Sequence, residues 1–212
     1  MQQERPANNF GIAFFFAIIM TLATGVVILW LGKNETFQLI NSNHNSYADH
    51  FFKYFTHYGD GVMWAPLGLF CIFYKRKYLL AVIAGVIIST LIAQLLKRVV
   101  FPEELRPITF LSESFPVHTI EGVIMRKANS FPSGHTTTAF TMALIMAHII
   151  NKKSWSIILP ALALLAGYSR VYLAQHFPTD VLAGMCIGII AAIVSLMLQK
   201  EIAKKYIKPG PK

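Results

Sequence analysis

Charge is scarce in this 212-residue chain: Asp, Glu, Lys and Arg make up 14% of it, against 55% hydrophobic residues. Ordinary soluble domains carry about 25% charged residues, so this composition excludes that class. Acidic residues are scarcest, 10 against 19 basic, for a formal net charge of +9. There are two cysteines, Cys71 and Cys186, and both fall inside apolar runs. They read as free thiols used as small apolar side chains, which excludes a disulfide framework and leaves the redox compartment unread. Internal repeats and low-complexity tracts are missing too. So is amphipathic alternation, because the apolar residues come in long blocks.

Those blocks approach the length of about 20 residues that a helix needs to cross a hydrocarbon core. Six qualify: Phe10 to Leu31, Gly59 to Tyr74, Tyr78 to Leu96, His135 to Ile150, Trp155 to Ala174 and Thr179 to Leu198. The second and fourth are short and carry polar residues. The first exceeds the apolar region of about 7–15 residues found in a secretory signal. It is followed by "LGKNETF", which offers no small-residue cleavage site, so it is expected to stay as a helix. The expected architecture is all-α: a polytopic membrane protein with a six-transmembrane-helix bundle, forming one domain over residues 1–212.

In a soluble protein this positive charge would suggest a nucleic-acid partner; here it reads as topology, and no nucleic acid is expected. With both termini inside, the inner segments hold Arg5, Lys75, Arg76, Lys77, Lys152, Lys153 and the five lysines after residue 199. The outer segments hold Lys33, Lys53, Lys97, Arg98, Arg106, Arg126, Lys127 and Arg170, spread over longer loops. The positive-inside rule favours that orientation. The C-terminal "KEIAKKYIKPGPK" reads as a basic tail near anionic headgroups. The outer stretch "NSYADHFFKYFTHYGD" reads as an interfacial helix or aromatic belt, or else as a gate for a lipid tail.

Polar groups at the ends of membrane spans are costly and default to function. Three clusters emerge on the same outer face: "KRVVFPEELRP" at 97–107, "PSGH" at 132–135, and "SRVYLAQHFPTD" at 169–180. Lys97, Arg106 and Arg170 are fixed cations, and an Arg fork suits a phosphate or carboxylate. Ser133 can cap the helix that follows it, and Gly134 admits close backbone approach. Free N–H groups at that helix start form an anion site. Together these features suggest phosphate.

The third cluster supplies reactive groups. Pro178 disfavours helix at Phe177, so the fifth span is expected to end near His176 and the sixth to begin at Pro178. Asp180 then sits near N3, from where its carboxylate reaches back towards His176. An imidazole held by a carboxylate has one fixed tautomer and a free nitrogen for attack. His135 is a second imidazole, suited to proton transfer. Plainer readings stand beside each: Arg170 snorkelling to the interface, Ser133 and Asp180 as simple helix caps, or His135, His176 and Asp180 as metal ligands. The three neighbouring cations argue against the metal.

With these motifs in hand, the chain resembles the type-2 phosphatidic acid phosphatase superfamily of membrane lipid phosphatases, which is similar at its active site to the vanadium haloperoxidases. That family's signature is Lys, six residues, Arg-Pro; then Pro-Ser-Gly-His; then Ser-Arg, five residues, His, three residues, Asp. Pro132 to His135 match the second part, and Ser169-Arg170, His176 and Asp180 match the third. The first part departs, because eight residues separate Lys97 from Arg106-Pro107, and Arg98 is the alternative to Lys97. The resemblance implies that His176 is the nucleophile, forming a phosphohistidine, that Asp180 orients it, and that His135 protonates the leaving group and then activates water. It also implies that Lys97, Arg106, Ser133, Gly134 and Arg170 hold the phosphoryl oxygens, with Ser169 a more distant contributor, and that neither metal nor cofactor is needed.

The expected activity is hydrolysis of a lipid phosphate or pyrophosphate at the extracytoplasmic face of a bacterial inner or plasma membrane. A polyprenyl pyrophosphate is favoured by its frequency in the family. Phosphatidylglycerol phosphate, phosphatidic acid and lipid A phosphates are the alternatives. The loop residues His118, Glu121 and Arg126 read either as headgroup contacts or as a solvated surface. The rival from another class is a lipid-binding or transport protein; a transporter would be expected to show repeats and broken mid-membrane helices, and a binding-only relative to lack His176 or Asp180.

Overall fold

Each of the six apolar blocks becomes helical. A computed structural model describes residues 9–110 and 116–206, and no strand occurs among them. The chain runs through α1 (Asn9–Leu31), α2 (Lys33–Asn41), α3 (Ser46–Phe55), α4 (Trp64–Tyr74), α5 (Leu79–Leu95), α6 (Pro107–Phe110), α7 (Gly134–Ile150), α8 (Lys153–Tyr172) and α9 (Pro178–Tyr206). Arg5 and residues 207–212 of the basic tail lie outside the described residues, as do residues 111–115.

Asn9–Leu31, Arg76–Val100, Lys153–Tyr172 and Pro178–Lys205 are long and apolar enough to cross a membrane. Gly61–Tyr74 is a shorter apolar helix. The 17 residues of α7 rise about 26 Å, somewhat less than a hydrocarbon core of about 30 Å. Its position explains why polar residues are tolerated there. It lies at the centre of the bundle against α1, α5, α8 and α9, so Thr136, Thr137 and Thr141 are buried in protein. Their hydroxyls are partnered too: Thr137 donates to the Ser133 carbonyl (3.0 Å) and Thr141 to those of Thr137 (2.8 Å) and Gly188 (3.2 Å). The outward faces are apolar instead, as at Ile83, Ile87 and Leu91, which recur one turn apart on α5 and are exposed.

Close contact between α7 and α9 depends on two glycines one turn apart. A Cβ on Gly184 would sit 2.7 Å from the Ser133 carbonyl oxygen, and one on Gly188 2.7 Å from the Phe140 Cβ. This is the small-xxx-small packing that lets membrane helices approach backbone to backbone. Gly188→Ala is expected to destabilise the protein by about 1–3 kcal/mol, the cost of overpacking, read as a lower melting midpoint in detergent. An unchanged midpoint would mean that the helices separate freely here.

The fifth span ends earlier than its sequence suggests. α8 stops at Tyr172 and not near His176, and Ala174 turns the chain with φ 52°. The Arg170 carbonyl accepts from the N–H groups of both Gln175 (2.9 Å) and His176 (3.1 Å), and the Tyr172 carbonyl is taken by the Asn41 side chain (2.9 Å). Those bonds satisfy carbonyls that another helical turn would have used. Cys71 is buried, Cys186 is exposed on α9, and both are free thiols.

Candidate active site

All three polar clusters meet at one end of the bundle, where α1, α5 and α8 finish and α4, α7 and α9 begin. A cavity of about 1020 Å³ opens there, lined among others by Lys97, Arg106, Gly134, His135, Arg170 and His176.

His176 follows the turn at Ala174 and is 2% exposed. Its Nδ1 lies 3.4 Å from Asp180 Oδ2, and its Nε2 lies 3.5 Å from an Arg106 guanidinium nitrogen. Burial, reinforced by the charges of Arg106, Arg170 and Lys97, holds the His176 imidazole well below its ordinary pKa. Asp180 is the third residue of α9. Its Oδ2 also accepts from the Phe177 N–H (3.0 Å) and the Ser130 hydroxyl (2.5 Å). One carboxylate oxygen therefore caps the helix and faces the histidine, so capping and orientation coexist. The Asp180 carbonyl accepts from the Ser133 N–H (3.0 Å), which ties the second cluster to the third.

The cations are held in different ways. Arg106 is braced by the carbonyls of Ala128 (3.0 Å), Gln175 (2.6 Å) and Asn129 (3.3 Å), and burial brings its pKa down to about 10. Arg170 donates to the Thr56 hydroxyl (2.6 Å), while its buried Nε has no partner. A buried guanidinium N–H without an acceptor is costly and calls for an anion. Lys97 lies in a π turn, Leu96–Val100, closed by the Phe101 N–H on the Leu96 carbonyl (2.8 Å). A π turn adds residues per turn, which accommodates the longer spacing to Arg106. Lys97 is half-buried and Arg98 exposed, and both line the cavity.

Ser133 caps α7 as its position suggests, accepting from the Thr136 N–H (3.4 Å) and hydroxyl (2.9 Å). A Cβ at Gly134 would meet nothing within 4 Å, so the backbone there is open to the cavity. Ser169 does not reach the site, because its hydroxyl donates to the Ala166 carbonyl (2.6 Å) on its own helix.

Several residues of the site escaped the sequence reading. Asp60 Oδ1 lies 2.9 Å from His135 Nε2, and its Oδ2 lies 2.6 Å from His57 Nδ1. The bond with His135, and then that with His57, hold the Asp60 carboxyl below its usual range against the opposing effect of burial. Thr56 and Ser130 are likewise partners of Arg170 and Asp180. Thr56 and Asp60 had one sequence signal, the "THYGD" turn closing the aromatic stretch, and Ser130 had none beyond its place two residues before the "PSGH" cluster. The first part of the aromatic stretch folds as helix α3, which has no fully buried residue, and its Lys53 and Tyr54 line the cavity.

Among the described residues, the potential metal ligands that converge are His44, Asp49 and His118, whose ligand atoms lie within 4.8 Å, and not His135, His176 and Asp180. The His44 and His118 rings stack in parallel at 3.6 Å, so no single ion lies in both ring planes. The group is a clasp: Asp49 accepts from the Tyr172 hydroxyl (2.5 Å) and pairs with His118 (3.0 Å). Of the loop residues expected at a headgroup, Arg126 lines the cavity, His118 joins this clasp, and the Glu121 carbonyl accepts from Lys53 (2.7 Å).

The profile of the PAP2 superfamily matches residues 77–203, a stretch that contains all three clusters. The chain belongs to the PAP2 superfamily. It is similar to the undecaprenyl-diphosphatase of Sulfolobus acidocaldarius, 28% identical over 177 residues and 82% of each chain. It is also similar to the lipid A 4'-phosphatase of Porphyromonas gingivalis, 30% identical over 163 residues, covering 74% of this chain and 69% of that one. The crystal structure of Aquifex aeolicus LpxE superposes with a TM-score of 0.68 at 33% identity, over 78% of this chain and 94% of that one. The protein is an integral-membrane lipid phosphatase. Its superfamily and the phosphatases it is similar to support an enzyme.

Proposed function

We propose that this phosphatase hydrolyses a polyprenyl diphosphate through a phosphohistidine on His176, without a metal, at the extracytoplasmic face of a bacterial inner or plasma membrane. The observation that carries the mechanism is the buried His176, with Asp180 at Nδ1 and Nε2 on the side of Arg106. Nε2 attacks the terminal phosphorus. The bond to the lipid-phosphate oxygen breaks as His135 gives that oxygen a proton. Water then attacks the phosphohistidine, His135 takes the water's proton, the N–P bond breaks and inorganic phosphate leaves. Asp180 stays ionised and stabilises the imidazolium. Lys97, Arg106, Arg170, Ser133 and Gly134 hold the phosphoryl oxygens, since phosphoryl transfer rests mainly on positioning and electrostatic stabilisation.

A diphosphate is favoured by charge. Lys53, Lys97, Arg98, Arg106, Arg126 and Arg170 line the cavity, against one carboxylate, Asp60, among the described residues. That excess exceeds what one phosphate monoester neutralises. The similar undecaprenyl-diphosphatase agrees with this reading, while the similar lipid A 4'-phosphatase supports a monophosphate as the second one. The basic inner segments support the orientation.

Phosphate release in detergent with EDTA, from a polyprenyl diphosphate, phosphatidylglycerol phosphate, phosphatidic acid and lipid A, tests this. Fastest release from the diphosphate, undiminished by EDTA, is expected. Activity abolished by EDTA would overturn the metal-free mechanism, and preference for a monophosphate would overturn the substrate. The pH dependence carries a further expectation. Because the folded pKa of His176 lies below the ordinary value of about 6.5, the imidazole stays neutral as pH falls through that value. The acid limb of kcat/KM should therefore lie well below pH 6.5, and a limb at or above that value would contradict a neutral buried nucleophile.

A further inference from the structure

The turn that closes the aromatic stretch reaches His135 at the cavity, which Thr56, His57, Gly59 and Asp60 help to line. Thr56–Gly59 forms a tight turn followed by Asp60, and Gly59 is buried against α7. A Cβ on Gly59 would sit 2.7 Å from the His135 carbonyl oxygen and 3.0 Å from its Cβ. The absence of a side chain there lets the turn press onto the first residues of α7. Thr56 anchors the same turn to Arg170. Asp60 is thereby brought to His135 Nε2 at 2.9 Å, with its second oxygen held by His57 at 2.6 Å. None of the three signature motifs contains this turn.

We infer that Asp60 is a positioning residue for His135: it fixes the tautomer that carries its proton on Nε2 and so assigns Nδ1 to the leaving oxygen. A carboxylate only accepts, so the short contact requires Nε2–H on the histidine. Nδ1 is then the nitrogen that gives a proton as the phosphorus–oxygen bond breaks and takes one from water in the second step. Asp60 stabilises the His135 imidazolium that stands before the first step and forms again at the end of the second, and takes no proton itself, as an orienting carboxylate does for other histidine bases. Arg170, which also faces His135, opposes that charge, and His57 holds the carboxylate in place. The site would thus contain two carboxylate–histidine pairs, Asp180 on the nucleophile and Asp60 on the proton carrier.

The inference rests on the hydrolytic reading above. Its test uses leaving groups of different basicity. Asp60→Asn is expected to lower kcat about 10–100-fold on an alkyl phosphate, whose leaving oxygen needs a proton, and much less on p-nitrophenyl phosphate. In a His135→Ala background it should cost nothing further, since residues that act through one another are not additive. Equal losses on both substrates, or a full further loss in the His135→Ala background, would overturn it. A readout independent of turnover is the ¹⁵N spectrum of histidine-labelled protein: His135 should show the Nε2–H tautomer, perturbed by Asp60→Asn. An Nδ1–H tautomer would sink the inference even if no substrate in the panel were cleaved. Loss of all release in the wild type, with the Nε2–H tautomer present, would instead fault the hydrolytic reading.

Discussion

His176→Ala is expected to lower phosphate release by on the order of 10⁴–10⁶-fold, the scale seen when an enzyme loses its nucleophile. The fold should survive. Asp180 Oδ2 keeps the Phe177 N–H and the Ser130 hydroxyl after the imidazole is gone, so the carboxylate is not stranded. Removing a buried imidazole that is hard to protonate also sacrifices no ion pair of consequence. The contrast is Asp180→Ala, which orphans the Phe177 N–H and Ser130 together and should lose both rate and melting temperature. Labelling with a ³²P-phosphorylated substrate, followed by an alkaline quench, should trap a phosphoryl-enzyme in the wild type and none in His176→Ala. Equal labelling in both would remove His176 from its role.

Arg170→Met is expected to divide stability from activity. Arg170 is 8% exposed, its guanidinium feels the charge of Arg106, and its Nε has no partner. Replacing a buried, incompletely paired charge by an apolar side chain of similar length is often neutral or stabilising. The unliganded variant should therefore melt at or above the wild-type temperature, while its rate falls by about 10²–10³, the usual loss for one preorganised donor. Orthovanadate should raise the melting temperature of the wild type, since a ligand at 100 times its Kd contributes about 2.7 kcal/mol, and should do so far less in the variant. A variant that melts lower yet is stabilised by vanadate like the wild type would make Arg170 a structural residue. Arg170→Lys keeps the charge but loses the planar fork, and should resemble the methionine variant in rate.

The two substitutions probe opposite sides of one design. Lys97, Arg106 and Arg170 are gathered around one cavity, and their mutual repulsion is borne by the packed bundle. A phosphate bound there is expected to relieve that repulsion, which would link binding to stability. The buried α7, close-packed through Gly184 and Gly188, provides the rigid wall that keeps these groups from moving apart.

Much of this was legible along the chain because its causes are local. Hydropathy blocks marked the helices, since a backbone crossing lipid must satisfy its hydrogen bonds within itself. Pro178 marked the start of α9, and Ser133 the cap of α7. The spacing of His176 and Asp180 across a helix start brought them together without help from the rest of the protein. Other features depended on partners distant in sequence. The end of α8 moved to Tyr172 because Asn41, 131 residues away, takes that residue's carbonyl. Lys97 reached the cavity through a π turn that composition does not announce. α7 looked too short and polar for a span until its neighbours surrounded it. Asp60, Thr56 and Ser130 acquired their partners only when helices distant in sequence packed against one another. A hydrogen bond to a buried charge is set by which surfaces meet, and hydropathy does not encode that meeting.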